Sequence, residues 1–169
     1  VLSKLVFVAA AGLAATTFAA ADASAQFYKG KKIELFLAGG SKGSYNRHSR
    51  VLQKYLTKHI AGNPEISITP MPGAGGIKAA NYLYNAATRD GTAIGTLLKT
   101  IAINEAIGRR GVKYKTEKFG WIVSSGPVDS VLALWTATSP AKTLDGVFKK
   151  QVLLGSTGKG SATFNELTI

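Results

Sequence analysis

Residues 32–38 are a short apolar run of β type, after which the period changes. Over residues 45–60 the pattern predicts a helix, with Leu52, Tyr55, Leu56 and His59 on one stripe, and Gly62-Asn63-Pro64 ends it. Residues 65–69 read as a second strand. A turn at residues 73–76 then starts a second helix on which Ile77, Ala80, Tyr84 and Ala87 share a face. Arg89-Asp90-Gly91 supplies the exit turn, and residues 93–98 a third strand. This βαβαβ succession predicts an α/β fold with a parallel sheet and right-handed crossovers. Further on, residues 120–125 and 131–137 are apolar strand candidates. Gly126-Pro127-Val128-Asp129 between them reads as a crossing between two lobes, and Ser139-Pro140 closes the second candidate. Residues 144–149 suit a short helix, and residues 151–154 a strand running into a last Gly-rich loop.

Three glycine-rich turns punctuate this pattern, each between a predicted strand and a predicted helix: Gly39-Gly40-Ser41-Lys42-Gly43-Ser44, Pro72-Gly73-Ala74-Gly75-Gly76, and Gly155-Ser156-Thr157-Gly158-Lys159-Gly160-Ser161. A turn of this kind aims unpaired backbone N–H groups, and the positive end of the helix dipole, at a small anion above it. Glycine permits φ > 0 and removes the side chains that would keep a ligand off the backbone. In an open parallel sheet the loops leaving the carboxyl ends of the strands lie on one edge, where ligands bind. All three turns are expected there. Ser44 is a candidate N-cap for the first long helix, and Ser161 or Thr163 for the last.

Composition adds a targeting segment. Residues 1–25 hold Lys4, an apolar run from Leu5 to Ala21, and Ala23-Ser24-Ala25 before Gln26, the small-x-small pattern of a secretory cleavage site. Read as a membrane anchor instead, the Ala-rich run is only marginally long enough to cross ~30 Å of hydrocarbon. The sequence offers no cysteine for lipid attachment, and export without cysteine fits a periplasmic protein whose core needs no disulfides. It opens on Val and stops within what reads as the first turns of a helix, so a fragment is expected. The excess of 21 Lys and Arg over 9 Asp and Glu suits acidic partners, and most of it reads as a solvated surface. Arg109-Arg110 with Lys113, Lys115 and Lys118 is taken as such a face rather than a nucleic-acid site.

Catalytic chemistry finds little support. Gly39-Gly40-Ser41-Lys42-Gly43 satisfies the nucleophile-elbow pattern of α/β-hydrolases, and a secreted serine hydrolase is the alternative reading, but the chain does not place a His and an acid for a triad. His48 and His59 lie eleven residues apart on one helix, about 16 Å along its axis, too far to share a metal ion. No metal site, cofactor or enzymatic activity is expected.

Phe27-Tyr28-Lys29-Gly30-Lys31, Tyr45-Asn46 with Arg50, Met71-Pro72-Gly73-Ala74-Gly75-Gly76 followed by Ala79-Ala80-Asn81-Tyr82-Leu83-Tyr84, Phe119-Gly120-Trp121-Ile122 and the last Gly-rich loop together resemble the substrate-binding subunits of tripartite tricarboxylate transporters, the Bug-type receptors. The resemblance spans residues 27–163. It implies a type-2 periplasmic-binding-protein-like fold of two lobes, each with a mainly parallel sheet flanked by helices. Residues 1–25 would then be the signal peptide, 26–127 the first α/β lobe, and 128–169 the truncated start of the second. It implies periplasmic localisation, capture of a small-molecule carboxylate, and delivery to integral-membrane transporter subunits, with no nucleic acid involved. The implied ligand-binding set is Gly39, Gly40, Ser41, Gly43, Ser44 and Tyr45; Gly73, Ala74, Gly75 and Gly76; and Ser156, Thr157, Gly158, Gly160, Ser161 and Thr163. The chain departs from the family pattern at Asn46, Pro70 and Ala162, and the first and third of these changes remove negative charge near the expected cleft.

Overall fold

In the computed structural model, which describes residues 27–126 and 130–167, β1 (Lys32–Leu37) lies between β2 (Glu65–Pro70) and β3 (Ala93–Thr96) in an all-parallel sheet of order β2-β1-β3. The predicted signal segment, and Pro127 to Asp129 of the predicted crossing, lie outside the described residues. α1 (Ser44–His59) carries the chain from β1 out to β2, and α2 (Ile77–Asn85) carries it back past β1 to β3. Right-handed crossovers in opposite directions place two helices on opposite faces of a sheet. α1 accordingly rests on β1 and β2, and α2 on β3 and β1. The mixed α/β fold expected from the periodicity is present.

Side-chain alternation along β1 serves both faces. Ile33 and Leu35 are buried with Ile66, against Leu56, Ile60 and Ile94. Phe36 turns the other way and packs on Tyr82 of α2, with ring centroids 4.9 Å apart. Its register partner Gly95 leaves room for α2, since a Cβ there would fall 2.5 Å from the end of the Leu83 side chain. Fully burying an aliphatic side chain of this size contributes about 1.5–3 kcal/mol, so this sheet is the main apolar anchor of the loops at its edge.

Beyond β3 the chain forms α3 (Ile101–Ala106), a helix the periodicity did not predict. Ile101 joins Ile77, Ala80 and Tyr114 in a second buried cluster, with Tyr84, Leu97, Val112 and Phe119 against it. The Tyr114 hydroxyl donates to the Ile101 carbonyl at 2.8 Å. Burial, with the Glu105 charge adding to it, pushes its phenol up to about 12 from 10.0. The folded state therefore favours the neutral phenol. Its contribution is complete below pH 10 and is lost as pH rises toward 12, because the unfolded phenol ionises first. We expect urea-unfolding stability to fall by about 2 kcal/mol across that window, and Tyr114→Phe to remove this part of the alkaline loss while costing about 1 kcal/mol at neutral pH.

The C-terminal part holds α4 (Leu144–Lys149), capped by the Thr143 hydroxyl accepting from Gly146 N at 3.2 Å, and α5 (Ala162–Asn165). The strands expected at residues 120–125, 131–137 and 151–154 do not form. An apolar run becomes a strand only when a neighbouring chain completes its hydrogen-bond ladder, and none pairs with these segments among the described residues. Ile122, Val123, Val131 and Leu153 are 79%, 77%, 94% and 99% exposed. A second sheet is thus absent from the described residues. Two details of the helices also differ from expectation. Tyr55 and His59 lie on the outer face of α1, whose buried positions are Asn46 and Ser49, and α2 ends at Asn85, before Ala87.

Candidate glycine-turn anion site

The carboxyl ends of the three strands are stitched together, with Met71 N donating to Leu37 O at 2.8 Å and Ala38 N to Thr96 O at 3.0 Å. The segments leaving β1, β2 and β3 therefore start side by side, as a parallel sheet requires. The turn after β2 is the most contorted. Gly73, Ala74, Gly75 and Gly76 all have positive φ (141°, 47°, 60° and 90°). Ala74 bears a Cβ in the left-handed region, a strain of about 1–3 kcal/mol. Gly76 N is satisfied by Gly73 O at 3.0 Å, whereas the N–H groups of Ala74 and Gly75 have no acceptor among the described residues.

This turn meets the last Gly-rich loop backbone to backbone. A Cβ on Gly75 would land on the Gly160 carbonyl carbon, 2.5 Å from its oxygen and 2.6 Å from Ser161 N. A Cβ on Gly160 would sit 3.2 Å from Ala74 O. Residues 85 positions apart can approach so closely because Gly75 has no side chain, and the approach at Gly160 is tight as well.

A buried amide network holds the contact. Asn104 of α3, fully buried, donates from Nδ2 to Gly160 O at 2.9 Å and accepts at Oδ1 from Asn165 Nδ2 at 3.3 Å. Arg109 Nη2 donates to Asn165 Oδ1 at 2.8 Å, and its guanidinium lies 5.6 Å from the centre of the Phe164 ring. Beside it, Lys99 pairs with Glu166 at 3.1 Å. The hydrogen bonds to Ser130 and Lys99 hold the Glu166 carboxyl below the usual range.

Of the last loop, Ser161 is the N-cap of α5, its Oγ accepting from Phe164 N at 3.2 Å. Thr163 is not the cap; its hydroxyl accepts from Thr157 N at 3.2 Å and bonds the Thr157 and Ser161 hydroxyls. Ser161 N is used by Gly158 O at 3.1 Å. The expectation that all amides from Thr157 to Ser161 face a ligand is therefore corrected: the two end amides are consumed internally. Those of Gly158, Lys159 and Gly160 have no acceptor among the described residues. Ser156 is exposed.

The first loop shares the sheet edge but stays apart. Gly40, Ser41, Gly43 and Ser44 are exposed, and no contact joins them to the last loop among the described residues. Gly39 N donates to Leu37 O at 2.8 Å, and a Cβ on Gly39 would lie 3.9 Å from the Tyr45 Cβ. The N-cap of α1 is Gly43 (φ 100°) with no side-chain cap, so Ser44 is the first helical residue, not the cap. The amides of Gly40, Ser41, Lys42 and Gly43 have no acceptor among the described residues. Asn46 is buried with its side-chain oxygen taken by Arg50 Nε at 2.8 Å, which makes it part of the helix packing rather than the expected cleft. Pro70 ends an edge strand, where a missing N–H costs no internal ladder bond.

An open groove of about 570 Å³ runs beside the turn-on-turn contact, lined by Ala74, Ile77, Ile107, Arg109, Arg110 and Lys159. Three cations from two distant segments thus border a floor of two isoleucines. Arg109 Nε is buried there without a hydrogen-bond partner among the described residues. Arg110 is exposed, as a solvated face requires, but that reading missed Arg109, because its contact to Asn165 spans 56 residues and leaves no local trace. A smaller hollow of about 360 Å³ lies next to it and includes Tyr84, Glu105 and Tyr114. Glu105 is engaged structurally, accepting from Thr116 Oγ1 at 2.6 Å and Thr116 N at 2.8 Å, which holds its carboxyl below the usual range.

Unpaired amides, cations and an apolar floor can hold an anion bearing an apolar part. No group of three or more His, Cys, Asp or Glu that could hold a metal ion occurs among the described residues. Comparison with known proteins returned no matching family model, no similar curated protein and no similar solved structure.

Proposed function

We propose that this chain is the ligand-holding part of an exported receptor that captures a small carboxylate and passes it to integral-membrane transporter subunits, without chemistry of its own. The observation that supports it most is the contact of the second and third glycine turns, with five unpaired amides at Ala74, Gly75, Gly158, Lys159 and Gly160. Arg109, Arg110 and Lys159 beside them supply the opposite charge. Hydrogen bonds to a charged group contribute ~1.5–3 kcal/mol each, so four or five match the ~8 kcal/mol of a micromolar complex when ordering costs are small. Turns fixed by a parallel sheet and a buried amide network meet that condition. Export and transfer to a permease rest on the small-x-small segment before Gln26 and on the family resemblance. No helix among the described residues is long and apolar enough to cross a membrane.

Calorimetric titration with mono-, di- and tricarboxylates tests the reading. One site should saturate with at least one acid, and Lys159→Met or Arg110→Met should weaken it about 5- to 20-fold. A panel with no binder, or variants that bind as the parent does, removes the site. Hydrolysis of p-nitrophenyl esters by the parent but not by Ser41→Ala would establish the secreted hydrolase instead.

A further inference from the structure

The outer face of α1 carries a pattern that the anion site does not use. Its exposed positions from Arg47 to His59 are all basic, aliphatic or aromatic, and no carboxylate interrupts them. At 100° per residue these positions fall within one half of the helix circumference, and the half-buried and buried positions occupy the other. Arg47, Lys54 and Lys58 form the central stripe. Val51, 54% exposed, and Tyr55, 52% exposed, lie along it. The Lys54 ammonium sits 5.8 Å from the centre of the Tyr55 ring. The nearby strand carboxylate, Glu65, is already paired with Lys32 at 3.5 Å. A solvated helix face normally mixes both signs. This one is cationic for about 16 Å along its axis.

We infer that the outer face of α1 docks on an anionic phospholipid surface, lying flat with its lysines and arginines among the headgroup phosphates. Charge complementarity names an anionic partner, and the apolar residues between the cations select among the possibilities. Val51 and Tyr55 gain burial at the boundary of headgroups and acyl chains, where an aromatic ring with a polar tip is favoured. A nucleic-acid backbone offers Val51 nothing. The opposite face of α1 covers the sheet, so the helix cannot insert deeply, and association is peripheral, reversible and sensitive to salt.

The test is co-sedimentation of the full chain with vesicles of phosphatidylcholine alone and with added phosphatidylglycerol, at low and high salt. At low salt the parent should bind the anionic vesicles more than the neutral ones, and it should lose that excess at high salt. Each Lys or Arg near such a surface contributes roughly fivefold to partitioning, so Arg47→Glu, Lys54→Glu and Lys58→Glu together should reduce binding at least tenfold. Reversal of Lys113, Lys118 and Lys149, which changes the net charge equally, should reduce it less than about threefold, since those residues lie outside α1. The apolar run from Leu5 to Ala21 would bind neutral and anionic vesicles alike, so the difference between them is the readout. Equal losses in the two triple variants, equal binding to both vesicle types, or retention on duplex DNA without binding to anionic vesicles would each overturn the proposal.

Discussion

Gly75→Ala should separate the two glycine turns and weaken carboxylate binding. The added Cβ meets the backbone of Gly160 and Ser161, not the movable end of a side chain, so no rotamer change relieves it. Gly75 also has φ 60°, where an L-residue is strained. Clash and strain together are expected to destabilise the chain by about 2–4 kcal/mol in urea titrations, with affinity down at least about tenfold. Gly158→Ala separates the two causes. Gly158 has φ 130° but open space around its Cβ position, so it should show the strain alone, about 1 kcal/mol. A Gly75→Ala protein as stable as its parent would mean that the turns are not in contact.

Asn104→Leu has the next largest expected effect. The side chain is fully buried and links Gly160 O with Asn165 Nδ2. Leucine keeps the branched shape but is bulkier, strands a buried acceptor and removes an acceptor from Asn165, a loss of about 2–4 kcal/mol. Asn104→Asp adds a sharper readout. Ionised, the carboxylate faces the Gly160 carbonyl as a second acceptor; protonated, it can donate to it. Its folded pKa is therefore raised above the unfolded value of about 3.9. The variant should be destabilised at neutral pH and regain part of its stability as pH falls through that raised pKa. Denaturation at several pH values decides it: a variant with no recovery in acid would contradict the assigned bond to Gly160.

The first half of the fold was legible because its signals are local. The apolar run containing Ile33 and Leu35, the stops at Gly62-Asn63-Pro64 and Arg89-Asp90-Gly91, and the change of period between them mark β1, α1, β2, α2 and β3 in order. The three strand candidates beyond Phe119 were not, because apolar runs such as Trp121-Ile122-Val123 state a capacity for pairing and not the presence of a partner. α3 spans six residues, too few for a helical period to stand out. Its buried Asn104 makes sense only through Gly160 and Asn165, 56 and 61 residues further on. The glycine turns themselves were visible, but which amides stay unpaired depends on hydroxyls such as Thr163, and on whether a cap is Gly43 or Ser44. The groove cations Arg109 and Arg110 look like any surface pair until the last loop is brought beside them.

Amide chemical shifts of the isotopically labelled chain during titration with mono-, di- and tricarboxylates test most directly whether the joined turns bind an organic anion. Saturable one-site shifts of the Ala74, Gly75, Gly158, Lys159 and Gly160 amides, accompanied by Arg109 Nε–H, are the predicted result. Shifts that fail to saturate, or that spread over exposed lysines and leave these amides in place, would contradict it.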